Sequence, residues 1–290
     1  MFVCQIIYAA YAKEEKPMKK KITVPEIRET KVNGKKYSLV TCYDYSFATL
    51  VEKSDIDMIL VGDSLGMTML GYAGTVGVKP DDIIHHGKAV RKGAPNTFII
   101  GDMPFGSYNE SVEQGIHTAN RFMMEIGCDA IKLEGGKRSA AVVKAIVESG
   151  TPVCGHIGLT PQISAAMGGF KVQGKNIEAA KLLLEDAQAI EAAGAFMIMV
   201  EGVPSDVTSY IRKNINIPII GIGAGVDCEV QAMVMHDLLG FTDWVPKFAK
   251  KYANIGEIAV EAFNAYNREV QAEEFPSPQY SYNTKVEGLE

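Results

Sequence analysis

Phe98-Ile99-Ile100-Gly101-Asp102 and Ala130-Ile131-Lys132-Leu133-Glu134 are apolar runs of strand length, and the 110–126 segment between them has helical spacing. Strand, helix and strand in that order make a parallel βαβ unit, because a two-residue turn cannot join parallel strands. The pattern repeats outward in both directions. Runs at 37–43, 58–63, 152–156, 196–201 and 218–222 have the same character, with a weaker eighth near 241–245. Helical patterns at 138–149, 176–193 and 205–214 separate the later runs, the second stopping before Gly194, a residue suited to the left-handed turn after a helix. Seven or eight such units fit a closed (β/α)8 TIM barrel better than an open doubly wound sheet.

The remainder of the chain is consistent with one large domain. Of 290 residues, 47% are hydrophobic and 22% charged, so a sizeable core is available and disorder, collagen and coiled coil are excluded as the main architecture. Acidic residues outnumber basic ones 35 to 29, giving a net charge of −6 with no dense basic patch, which disfavours nucleic acid and anionic membranes as partners. Cys4, Cys42, Cys128, Cys154 and Cys228 are scattered and form no C-x-x-C pair. That argues against a disulfide framework or thiolate zinc site and for a cytoplasmic location. Residues 1–12 are apolar but follow no basic residue and are too short to span a bilayer. Met18, followed by three lysines, is the expected working start, with 1–17 an extension, 18–272 a single catalytic barrel and 273–290 a tail.

Chemistry is concentrated where the runs stop. Five consecutive runs end on or beside ionisable side chains: Asp63-Ser64, Asp102, Lys132 with Glu134, His156, and Glu201. In a parallel barrel all such ends lie at one mouth, where barrel active sites are built. Any single one is more often a solvated turn or helix cap than a catalyst; it is the succession of five that shifts the balance toward a site. Converging carboxylates repel, so they must raise a pKa or hold a cation. Oxygen donors without cysteine favour a hard ion, Mg²⁺ first, rather than zinc. Lys132 and Glu134, two residues apart, face the same side of their strand. Lys132 could pair with a substrate carboxylate or only with Glu134. Glu201 stands apart from the other acids and suits a general base, or is a solvated strand end. Glycine clusters at 66–71, 168–174 and 221–225 suit lids or a phosphate loop, and equally suit tight turns and close packing. His85, His86, His117 and His236 read as packed or solvated histidines.

A set of ordered motifs narrows the reading. Tyr43-Asp44-Tyr45-Ser46-Phe47-Ala48, Val61-Gly62-Asp63-Ser64-Leu65-Gly66-Met67, Lys132-Leu133-Glu134-Gly135-Gly136, Gly155-His156-Ile157-Gly158-Leu159-Thr160-Pro161-Gln162, Val172-Gln173-Gly174, Glu201-Gly202-Val203-Pro204 and Gly221-Ile222-Gly223-Ala224-Gly225 closely resemble, in order, those of the ketopantoate hydroxymethyltransferases. The likeness runs from about Val24 to about Ala272. It implies a barrel of the phosphoenolpyruvate/pyruvate-like superfamily, a homodecamer and a step of pantothenate and coenzyme A biosynthesis. It implies transfer of a hydroxymethyl group from 5,10-methylenetetrahydrofolate, a consumed co-substrate, to 3-methyl-2-oxobutanoate through a Mg²⁺-stabilised enolate. By matching motif, Asp63, Asp102 and Glu134 would serve one Mg²⁺ per subunit. Asp63, Ser64, Asp102 and Lys132 would hold the keto acid, and Glu201 would accept the proton; His156 lies in a pocket motif without an assigned step. The alternatives are a Mg²⁺-dependent carbon–carbon lyase or phosphomutase of the same superfamily, whose Lys-Lys-Cys-Gly-type segment this chain lacks, and a non-catalytic metabolite-binding barrel.

Overall fold

The computed structural model describes residues 19–284 and 286–288, so the expected extension at 1–17 and start at Met18 lie outside the described residues. Eight parallel strands close into a barrel in sequential order. They are β1 (Tyr37–Thr41), β2 (Met58–Val61), β3 (Phe98–Asp102), β4 (Ala130–Glu134), β5 (Val153–Gly158), β6 (Met197–Glu201), β7 (Ile219–Ile222) and β8 (Val230–Met233). The barrel is closed by pairing of β8 with β1, Tyr37 opposite Val230. Between and around them run α1 (Val24–Asn33), α2 (Tyr45–Lys53), α3 (Leu65–Thr68), α4 (Pro80–Gly93), α5 (Val112–Arg121), α6 (Ala140–Glu148), α7 (Ile177–Ala192), α8 (Ser205–Lys213), α9 (Met235–Leu239) and α10 (Ile255–Gln271). Two compact units are present, one ending at Met235 and the other beginning at His236. No helix among the described residues is long and apolar enough to cross a membrane.

The eighth strand differs from expectation. It is Val230–Met233, and 241–245 contains no strand. The physical reason lies in β8 itself: only four residues long, it places Gln231 in solvent between buried Val230 and Ala232. It therefore lacks the continuous apolar run by which a strand covered on both faces announces itself.

Two further elements depart from the sequence pattern. The 110–126 helix is α up to Arg121 and then a π-turn, Phe122–Ile126, ending on left-handed Gly127. Helix α1 has little apolar periodicity but opens on a capping box: Thr23 accepts from the Glu26 N–H while Glu26 accepts from the Thr23 N–H at 2.8 Å. Its Ile27 joins Tyr37, Leu39, Met58, Phe98, Ala130, Phe196, Met197 and Val230 in the apolar filling of the barrel.

That filling sets the height of the site. Along β3, β4, β5 and β6 the inward positions begin apolar, at Phe98 and Ile100, Ala130, Cys154, and Met197 and Met199. They end polar, at Asp102, Lys132 and Glu134, His156, and Glu201. The period of two along each strand thus carries an apolar core into a charged layer at the C-terminal mouth.

Candidate active site at the strand ends

Register brings the charged side chains together. Asp102 pairs with Lys132, Glu134 with His156, and Gly158 with Glu201 across neighbouring strands. Lys132 Nζ lies 2.7 Å from Asp102 Oδ1 and 3.3 Å from His156 Nδ1. His156 Nδ1 is 3.5 Å from Glu134 Oε1, and its Nε2 is 3.3 Å from Glu201 Oε2. The imidazole therefore stands between the two glutamates. Its Nδ1 can accept from Lys132 or donate to Glu134, but not both. Asp63, two residues past the end of β2, reaches the cluster through its backbone, whose N–H donates to Asp102 Oδ2 at 3.0 Å. Ser64 lies at the rim, its hydroxyl 2.7 Å from the Tyr43 hydroxyl. All six residues expected at the site, and His156, thus lie in one network around the mouth, with Ser64 attached through the chain next to Asp63.

Asp63, Asp102, Lys132, Glu134 and His156 are all buried, and burial decides their protonation. It raises the Asp63 pKa well above the usual carboxylate range, with the Asp102 charge adding to it and Lys132 opposing. Burial likewise raises Asp102, against the attraction of Lys132. For Lys132 burial favours the neutral amine, but the surrounding Asp102, Glu134 and Asp63 charges outweigh it and the pKa rises. Burial and the Lys132 charge would lower His156, yet contacts with Glu134 and Glu201 prevail and push it up to about 9.

The three carboxylates Asp63, Asp102 and Glu134 share one arrangement. One oxygen of each is held by a protein donor: Asp63 Oδ2 by Gln162 Nε2 at 2.9 Å, Asp102 Oδ2 by the Asp63 N–H, and Glu134 Oε2 by the Gln162 N–H at 3.1 Å. On the other side, Asp102 Oδ1 faces the Lys132 ammonium at 2.7 Å, while the buried Glu134 Oε1 accepts no hydrogen bond. Buried carboxylate oxygens without donors are costly unless a cation serves them. The donor set therefore fits a hard divalent ion completed by substrate oxygens. Among the described residues no three acidic, histidine or cysteine side chains form a ready-made metal cluster.

The glycine clusters divide between turns and packing. Gly168, Gly169 and Gly174 have left-handed backbone, as turns require. Gly66 instead lies inside α3, and a Cβ there would meet Val78 Cγ2 at 2.6 Å. Gly221 is likewise closed by Cys228 Sγ, 2.5 Å from its Cβ position. Two buried side chains at the mouth, Tyr108 and Gln162, are not singled out by strand endings, because both sit on the loops that follow β3 and β5.

A sequence profile described as ketopantoate hydroxymethyltransferase matches residues 21–278. The chain belongs to the ketopantoate hydroxymethyltransferase family. Among its relatives, the 3-methyl-2-oxobutanoate hydroxymethyltransferase of Heliobacterium modesticaldum is 54% identical over 275 residues, covering 94% of this chain and 100% of the relative. The protein of the same name from Syntrophobacter fumaroxidans is 49% identical over 280 residues, covering 94% and 99%. Similar solved folds include a phosphonopyruvate hydrolase in complex with oxalate and Mg²⁺ (TM-score 0.58, 12% identity, 89% of this chain and 93% of that one). A 2,3-dimethylmalate lyase of the PEP mutase/isocitrate lyase superfamily has a TM-score of 0.54 at 12% identity, covering 91% and 92%. At that identity the likeness concerns the fold alone. Within the ketopantoate hydroxymethyltransferase family this chain is an enzyme with the whole barrel in place.

Proposed function

We propose that the protein transfers a hydroxymethyl group from 5,10-methylenetetrahydrofolate to 3-methyl-2-oxobutanoate, giving 2-dehydropantoate and tetrahydrofolate in pantothenate biosynthesis. Family membership supports the reaction, and one observation supports the division of labour at the site. His156 stands between Glu201 and the buried Glu134, 3.3 Å from the first and 3.5 Å from the second. Glu201 is also the more accessible, its side chain 15% exposed against 1% for Glu134.

Asp63, Asp102 and Glu134 would hold Mg²⁺, which when bound supplies Lewis acidity toward the keto-acid oxygens. Asp63, Ser64, Asp102 and Lys132 bind and orient the keto acid, the Lys132 ammonium facing its carboxylate. Glu201 takes the C3 proton, its carboxylate held by the imidazolium of His156. The one-carbon unit leaves the two folate nitrogens, which take up protons as tetrahydrofolate forms, and one water supplies its oxygen; the enolate carbon adds to that carbon, and the resulting alkoxide is protonated to the hydroxymethyl group. A homodecamer belongs to the same reading, and native mass spectrometry tests it directly.

The deciding experiment is NMR detection of C3 proton exchange in 3-methyl-2-oxobutanoate dissolved in D₂O, with Mg²⁺, with and without tetrahydrofolate and formaldehyde. Wild-type enzyme exchanges the proton and forms the hydroxymethyl product only with the donor present. Glu201→Gln keeps the fold and metal-dependent keto-acid binding and loses exchange by at least about 10²-fold. Normal exchange in that variant removes Glu201 from the base role.

A further inference from the structure

We propose that Tyr108 and Gln162 are positioning residues of this reaction, a clamp that fixes Asp63 and Glu134 relative to each other and turns one oxygen of each toward the site. The inference rests on the reading above, in which those two carboxylates serve the metal and the keto acid. Gln162 carries it geometrically. Its side-chain amide donates to Asp63 Oδ2 at 2.9 Å and to the Met103 carbonyl at 3.0 Å, while its own N–H donates to Glu134 Oε2 at 3.1 Å. The remaining amide oxygen accepts the Tyr108 hydroxyl at 2.6 Å, and that hydroxyl accepts the Glu134 N–H at 3.1 Å. Tyr108 is 3% exposed and Gln162 2%, so water has little access to substitute for either partner.

The amide is the chemically required group. Gln162 uses both functions of its amide, the NH2 donating to the Asp63 carboxylate and the oxygen accepting from the Tyr108 phenol, a pair that neither a carboxylate, acceptor only, nor an ammonium, donor only, reproduces. A carboxylate in its place would add a charge beside Asp63, and an apolar residue would leave the Asp63 oxygen without its donor. The clamp also joins four places that the chain brings together only through tertiary structure: the turn after β2, the loop after β3, the end of β4 and the loop after β5. Asp102 is tied to Asp63 by the Asp63 N–H and to β4 by Lys132, whereas the Asp63 and Glu134 carboxylates are joined through Gln162. Partners of this kind around a metal site cost about 10–100-fold in metal affinity or activity when removed.

The test uses full-length Gln162→Met, which keeps length and loses all three side-chain bonds, and Tyr108→Phe, which loses only the hydroxyl. Mn²⁺ binding is measured by electron paramagnetic resonance without substrate, followed by melting temperature, kcat and KM for the keto acid. The expected result for Gln162→Met is at least about tenfold weaker Mn²⁺ binding and a comparable rise in KM. Its kcat at saturating metal and keto acid stays within about threefold, because Glu201 lies outside the clamp. Tyr108→Phe moves the same quantities in the same direction by less, and decides the matter alone if Gln162→Met does not fold. Mn²⁺ affinity and KM unchanged in both variants, or a lowered melting temperature with no change in either, overturns the proposal. Wild-type enzyme that turns over without binding Mn²⁺ overturns the metal reading instead, an outcome distinct from wild type and variants binding alike.

Discussion

The buried His156 is held in its charged form at neutral pH, and the cause is local. A buried imidazole with a carboxylate near each nitrogen is stabilised as the cation, to a pKa of about 9 against 6.5 for the free side chain. The folded-state pKa is raised, so the native protein binds the extra proton between those values. Stability from this residue is complete below about pH 6.5 and is lost as pH rises through about 9. In metal-free protein it amounts to no more than roughly 3 kcal/mol. Urea unfolding of wild type and His156→Gln at several pH values checks this: their difference in stability shrinks as pH rises across that interval. A constant difference would mean that His156 is neutral in the folded protein. The same residue shows why a site can be visible in sequence while its roles are not. Its place at a strand end is legible at once, but its two carboxylate partners come from β4 and β6, which only the order and register of strand pairing set on either side of it.

Strand ends need glycine where backbone, not side chain, must approach. Gly158 closes β5 with φ +89°, and a Cβ there would lie 2.4 Å from the Glu201 carbonyl oxygen and 2.7 Å from Val203 Cγ2. Gly158→Ala must therefore strain its own backbone and separate β5 from β6 at the level of the proposed base. The expected cost is about 2 kcal/mol or more, with a loss of C3 exchange greater than the loss of keto-acid binding. Calorimetry and the exchange assay on one preparation check both; an unshifted melting temperature would show that the rim yields freely. Elements differ in how openly sequence declares them for related reasons. Strands β2 to β5 are buried along their whole length and read as apolar runs interrupted only by the polar residues of the site. β8 exposes Gln231 and escapes notice, and α1 is marked only by Thr23 and Glu26, whose capping box is a local signal independent of any apolar face. The Tyr108–Gln162 contact spans 54 positions and follows no local rule, so no periodicity could expose it.

Across the first unit, stability and function draw on opposite ends of the barrel. The lower interior is filled with apolar side chains from all eight strands. At the mouth, Asp63 and Asp102 are buried with raised pKa values, chiefly because of that burial. The sign follows: their stabilising contribution belongs to the protonated forms and is lost as pH rises through the folded-state values. A divalent cation needs the ionised forms, so it binds best where the metal-free fold has lost that contribution. Ligand binding adds RT ln(1 + [L]/Kd), about 2.7 kcal/mol at a hundredfold excess over Kd. The rise in melting temperature on adding Mg²⁺ with keto acid should therefore be larger near pH 8 than near pH 5. It should vanish in Asp63→Ala while that variant still folds, and chelator should reverse it in wild type. Differential scanning calorimetry at the two pH values measures all three. An equal rise at both, or one that survives Asp63→Ala, would place the cation elsewhere than at these strand ends.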